Sequence, residues 1–206
     1  RASGDHYSTC LALAFQSEAH SLAGNADAAM AAVEEAAVIS GQHQTGAAHA
    51  NVLLQRGNLL LMQRSIAEAS RDYHESIRIF DAVRMRGVKG WAHCGLAYGH
   101  FVTGEIEQAR SEFAIVLELG RGTTDGAMIA TGMLGMALIT ELDGRSLDAA
   151  VLLAAAEETA RSIGYAFWST DRVLHQDLAA RLNAQLRPED LEAARRRGTQ
   201  MSREDA

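Results

Sequence analysis

The chain has 206 residues and a formal charge of −7, with nearly half its residues apolar, 5% aromatic and a single proline, Pro188. That length buries a core without metal or disulfide staples. The negative balance argues against gripping a phosphate backbone, which needs clustered Lys and Arg. The one dense basic run, Arg195-Arg196-Arg197, reads as a solvated helix face. The two cysteines, Cys10 and Cys94, have no framework spacing and fit a reduced compartment, so a cytoplasmic setting is expected.

Nothing in the chain reads as a secretory signal or a membrane span. The most apolar run, 127–140, is too short to span a bilayer and carries Gly132 and Gly135, so it is read as a buried helix. The chain begins with Arg1 rather than Met, as expected of a piece of a longer protein.

With almost no helix breakers, apolar spacing and turn residues predict helices over 5–22, 26–40, 46–63, 66–84, 88–103, 106–119, 125–142 and 146–163. Gly41 and Gly46, Gly87 and Gly90, and Gly120 and Gly122 are read as junctions supplying left-handed C-caps. Thr45 and either Thr124 or Asp125 are read as caps of the helices that follow. Residues 165–186 are predicted to form a further helix through Val173, Leu174, Leu178, Leu182 and Leu186. Pro188 then sits in the first turn of a short helix. Ser202 and Asp205 have the spacing of a capping box and predict the start of one more.

These elements repeat. Ala29, Ala69, Ala109 and Ala149 lie forty residues apart, and four residues on stand Val33, Tyr73, Phe113 and Leu153. The same period relates Ala36, Ser76, Val116 and Ala156; the small residues Ser17, Gly57, Ala97 and Ala137; and Gly24, Arg64, Gly104 and Gly144. A small residue on the first helix of a hairpin lets the second approach, and the large residue fills the groove beside it.

The columns resemble the tetratricopeptide pattern, best in GLAYGHFVTGEIEQARSEFAIVLEL (95–119) and GMALITELDGRSLDAAVLLAAAEETA (135–160). The forty-residue period and long first helices are similar to the MalT-like variety; no copy ends in the usual proline. The expected fold is all-α: a right-handed α-α solenoid of four such hairpins (about 5–40, 46–84, 88–119 and 125–163) within residues 1–164. Residues 165–206 are expected to be capping helices of the same domain.

The stretches LDAAVLLAAAEETARSIG (147–164) and LRPEDLEAARRRGTQMSREDA (186–206) resemble the C-terminal end of large bacterial multidomain ATPase regulators of the LuxR/MalT and AfsR kind. Where that family often has a proline-containing link, this chain has Tyr165-Ala166-Phe167-Trp168. The resemblance implies the effector- or partner-sensing region of a transcriptional regulator, with the ATPase and DNA reader elsewhere.

The segment Gly120–Gly126 lacks the lysine and preceding strand of a phosphate-binding loop and reads as an interhelix turn. His93 and His100 share a helix face, but Cys94 points about 100° away, so no metal shell is completed. His74-Glu75 lacks the second histidine of a zinc protease helix, and the pairs Glu34-Glu35 and Glu157-Glu158 read as solvated edges. No catalytic residue, metal or cofactor is expected.

A repeat solenoid presents its first helices on a concave surface. Helical spacing places Asn51, Leu54, Asn58, Trp91, Tyr98 and Phe101 there, flanked by Glu18 and Glu141. Trp91 and Phe101 suit either an aromatic patch or the packing between hairpins. The reading is a non-catalytic binding module for a peptide, a protein segment or a small effector. It makes no direct nucleic-acid or membrane contact, and it allows a homo-oligomer. The alternative is a structural spacer or dimerisation scaffold without a ligand.

Overall fold

The computed structural model describes residues 5–43, 46–167 and 169–201. Among them every regular element is an α-helix. In chain order these are α1 (His6–Leu22), α2 (Ala26–Gln42), α3 (Ala47–Met62), α4 (Ile66–Ala82), α5 (Arg86–Thr103), α6 (Ile106–Thr123), α7 (Gly126–Leu142), α8 (Ser146–Ser162), α9 (Ser169–Gln185) and α10 (Pro188–Gln200). The fold is an all-α helical repeat in which consecutive helices pair. It divides into two compact units, Arg1–Gly99 and His100–Ala206.

In the first unit α1 packs on α2 and α3 on α4, and the second hairpin stacks on the first through α3. The repeat columns are the core. Ala29, Val33, Ala36, Ala69, Tyr73 and Ser76 are all at most 1% exposed. The small residue of the first helix is needed for contact. A Cβ on Gly57 would lie 2.7 Å from Cε1 of Tyr73, and one on Gly95 would collide with the same ring. Hydroxyls bind across the hairpins as well: Ser17 Oγ donates to Ala29 O at 2.8 Å and Ser76 Oγ to Ala50 O at 2.9 Å.

In the second unit α7 packs on α6 and α8. The columns are buried here too, with Phe113, Ala137 and Ala149 at 0%. Phe113 lies on Gly135, where a Cβ would meet the ring. The apolar helix α7 is buried almost all round, as helices hydrophobic on every face are.

The left-handed residues carry the same period. Gly24, Arg64, Gly104 and Gly144 turn each hairpin at φ 78, 64, 81 and 77°. Arg84, Thr124 and Gly164 do so after the hairpins, at φ 59, 56 and 66°. The junction reading of the glycines is corrected accordingly. Gly41, Gly87, Gly90, Gly120 and Gly122 lie within helices, and the left-handed caps there are Arg84 and Thr124. Of that set only Gly46 has positive φ, 56°, at the N-cap of α3. Asp125 caps α7, accepting from the N–H groups of Ala127 and Met128 at 3.0 Å. The expected cap at Thr45, Trp168 of the linking segment and the further helix from Ser202 lie outside the described residues.

The C-terminal helices are unlike each other. α9 begins at Ser169, later than the expected 165; residues 165–167 are not helical, and Tyr165 Oη lies 3.4 Å from Thr131 Oγ1. Leu178 and Leu182 are buried, but Val173, expected on the same face, is 55% exposed. α10 lies closely against α8: a Cβ on Gly198 would stand 2.5 Å from Val151 O and 2.6 Å from Ala154 Cβ.

Candidate functional site

The first unit holds a cleft of about 840 Å³ formed by α2, α3 and α4. Each helix contributes a stripe at helical spacing. α2 gives Met30, Glu34, Ala37 and Val38; α3 gives the floor, His49, Leu53, Arg56 and Leu60; α4 gives Glu68, Arg71, Asp72 and Glu75. Leu53 is 5% exposed and Val38 is 58% exposed, so an apolar floor meets an open apolar edge on the α2 side.

Arg56 and Asp72 fix the middle of the cleft. Nε and Nη2 of Arg56 each donate to a carboxylate oxygen of Asp72 at 2.7 Å. The aspartate side chain is 9% exposed and the arginine 32%. Such bidentate pairs are geometrically rigid, so the floor is pre-shaped. The hydrogen bonds to Asp72 hold the guanidinium above its ordinary pKa. Beside them His49 Nδ1 lies 2.7 Å from Ser40 Oγ. Burial holds its pKa below the ordinary histidine value, against the opposing charge of Glu75. Glu75 pairs with Arg78, which depresses its carboxyl pKa, and Glu68 stands 3.9 Å from Arg71.

The residues expected in the concave groove are placed differently. Leu54 is 5% exposed and Tyr98 2%, so both are core and offer a ligand no surface. Asn51 and Asn58 are half-buried and engaged within the hairpin: Asn51 Nδ2 donates to Ala47 O at 3.1 Å, and Asn58 Oδ1 accepts from Tyr73 Oη at 2.9 Å. Trp91 is half-buried in the first unit and Phe101 half-buried in the second. Glu18 is half-buried, with desolvation raising its carboxyl pKa. Glu141 is closed off by α9. It accepts from Arg181 Nε and Nη2 at 3.2 Å and from Gln185 Nε2 at 2.9 Å.

The stripe on α3 that lines the cleft is therefore a different face from the one expected. The cleft had a signal in the sequence. In the forty-residue register Arg56 and Asp72 correspond to Met136 and Leu152 in the fourth hairpin. Opposite charges appear together at two positions that are apolar together in the fourth hairpin. Glu34, read as a solvated edge, is exposed at the cleft wall, and Glu75, beside the His74 that has no zinc-protease partner, lines the cleft too.

Among the described residues no three His, Cys, Asp or Glu side chains are grouped as a metal shell requires. His100 Nδ1 bonds instead to Glu105 Oε2 at 2.5 Å. Cys10 and Cys94 are buried and form no disulfide. No described helix is long and apolar enough to cross a membrane. No protein-family model matches the chain, and no curated protein matches it.

Proposed function

We propose that the chain is a non-catalytic helical-repeat binding module whose ligand lodges in the cleft of the first unit. The observation that carries this is the pre-shaped floor. A rigid Arg56–Asp72 pair sits among apolar residues in a concavity of about 840 Å³, within the size range of ligand sites. No nucleophile in the cleft stands beside an activating base. Ser40 touches His49 but also lies 3.2 Å from Ala37 O, and it is 0% exposed.

The resemblance of residues 147–164 and 186–206 to LuxR/MalT and AfsR-type regulators supports the wider setting. In it the module is the cytoplasmic effector- or partner-sensing region of a bacterial transcriptional regulator, without its own nucleic-acid contact. The cleft replaces the concave patch around Trp91 and Tyr98 as the binding surface.

The test is selection of a displayed random peptide library on the wild-type chain and on Ala37→Trp, which fills the cleft from its half-buried α2 wall. Enriched peptides should lose binding to Ala37→Trp while its circular dichroism spectrum stays helical. Equal binding to both proteins, or no enrichment, would favour the spacer or dimerisation scaffold.

A further inference from the structure

The cleft has a chemical bias and an internal counterpart that together narrow its occupant. Its walls and floor carry four carboxylates, Glu34, Glu68, Asp72 and Glu75, against two guanidiniums, Arg56 and Arg71. Arg56 is committed to Asp72. Arg71 is 76% exposed on the α4 rim beside Glu68. Glu34 on the opposite wall is exposed, as are most of Glu68 and part of Glu75. Arg78, just outside the cleft, pairs with Glu75. The surroundings therefore keep a small negative balance, centred on the exposed Glu34 wall, over an apolar floor. This disfavours phosphates and carboxylates and favours cations carried on an apolar body.

The counterpart lies in the second unit. There α10 packs on α8 along Val151, Ala154 and Ala155, with Ala194 1% exposed and Gly198 in backbone contact. In the forty-residue register Val151 and Ala155 correspond to Arg71 and Glu75, which line the cleft. The second unit thus already seats a helix on the face of its second-helix element that in the first unit stays open. α8 admits a close helix with small side chains, whereas α4 presents charge along the same line. The floor from His49 to Leu60 runs about 16 Å at about 1.5 Å per residue, room for about three helical turns.

Resting on the reading of the cleft as the binding surface, we propose that it docks one amphipathic, Lys/Arg-bearing helix of a partner protein. The partner's apolar stripe lies on Leu53, Leu60 and the exposed Val38 edge, in the helix-in-groove mode. Its cations meet Glu34 across the cleft and Glu68 and Glu75 on the α4 side.

The experiment uses the whole chain and an 18-residue amphipathic Leu–Lys helical peptide, with fluorescence anisotropy as the readout. The controls are a scrambled peptide of the same composition and a Leu–Glu peptide of the same pattern. The Leu–Lys helix should bind at least about tenfold tighter than either control, about 1.4 kcal/mol, and weaken with salt. The triple substitution Glu34→Gln, Glu68→Gln, Glu75→Gln should weaken it about tenfold. Glu189→Gln with Glu192→Gln, exposed carboxylates on α10, should leave it unchanged.

The proposal is overturned by equal loss in the α10 double variant, by no loss in the triple variant, or by tighter binding of the Leu–Glu helix. Self-association that the triple variant abolishes would overturn it too, since the occupant would then be a second copy. Ala37→Trp separates the two levels. If it abolishes binding of the Leu–Glu helix, the binding module stands and only its cationic preference falls. If it affects no peptide, the cleft reading falls as well.

Discussion

The two units are built on one register and differ in which face is covered. In the first, the cleft positions His49, Leu53, Arg56 and Asp72 surround open space. Their equivalents in the second are Ile129, Met133, Met136 and Leu152, of which Ile129 is 3% exposed and Met133 1%. α7 is buried almost all round and α10 covers α8. The shared columns, alanine and a large apolar residue against a small one, hold each hairpin together. The residues between the columns decide whether a neighbouring face is sealed by the chain itself or left open. A charged pair fixed at 2.7 Å keeps the floor of the first unit shaped without a helix over it.

The sealed face gives the largest expected effect. Gly198→Val would drive a side chain into Val151 O, Ala154 Cβ and Ala155 N, all within 2.8 Å of the Cβ position. Overpacking of this kind costs about 1–3 kcal/mol. The gain in helix propensity is only about 0.4 kcal/mol, so the clash wins. Denaturant unfolding should show the loss, and limited proteolysis should cut α10 faster. An unchanged midpoint would mean that α10 is not a structural cover.

A smaller effect tests the polar insertion of the first unit. Tyr73 and Phe113 occupy the same column, and Tyr73 alone carries a hydroxyl, donating to Asn58 at 2.9 Å. Tyr73→Phe should cost about 0.5–1.5 kcal/mol, the net worth of one such hydrogen bond. A loss of zero would indicate that Asn58 is rehydrated from the surface.

The smallest effect is a pH dependence at a position where the second unit has no titratable group, because the counterpart of His49 is Ile129. Folding holds the His49 pKa below its ordinary 6.5, chiefly by burial. Above that value both states are neutral and the stability is complete. As pH falls through it, the unfolded chain takes up the proton first, and stability is lost. The denaturation midpoint should therefore drop between about pH 7.5 and about pH 5.5, and drop less in His49→Gln. An equal drop in both proteins would assign the titration to other histidines.

The sequence by itself determined the repeat. Small and large residues recur every forty positions because each hairpin must meet the same packing condition. The left-handed turns recur with them, at Arg64 as at Gly24, Gly104 and Gly144. It also determined that 127–140 is a buried helix, since no polar face was available to meet water. Tertiary structure decided which faces remained open. Leu54 and Tyr98 have groove spacing but lie in the core, and Glu141 has a surface charge but is clasped by Arg181. Helical spacing says which residues share a face, but not which neighbouring helix comes to cover it. That depends on contacts such as Arg181 with Glu141 and Gly198 with Val151, made by residues about forty or more positions apart.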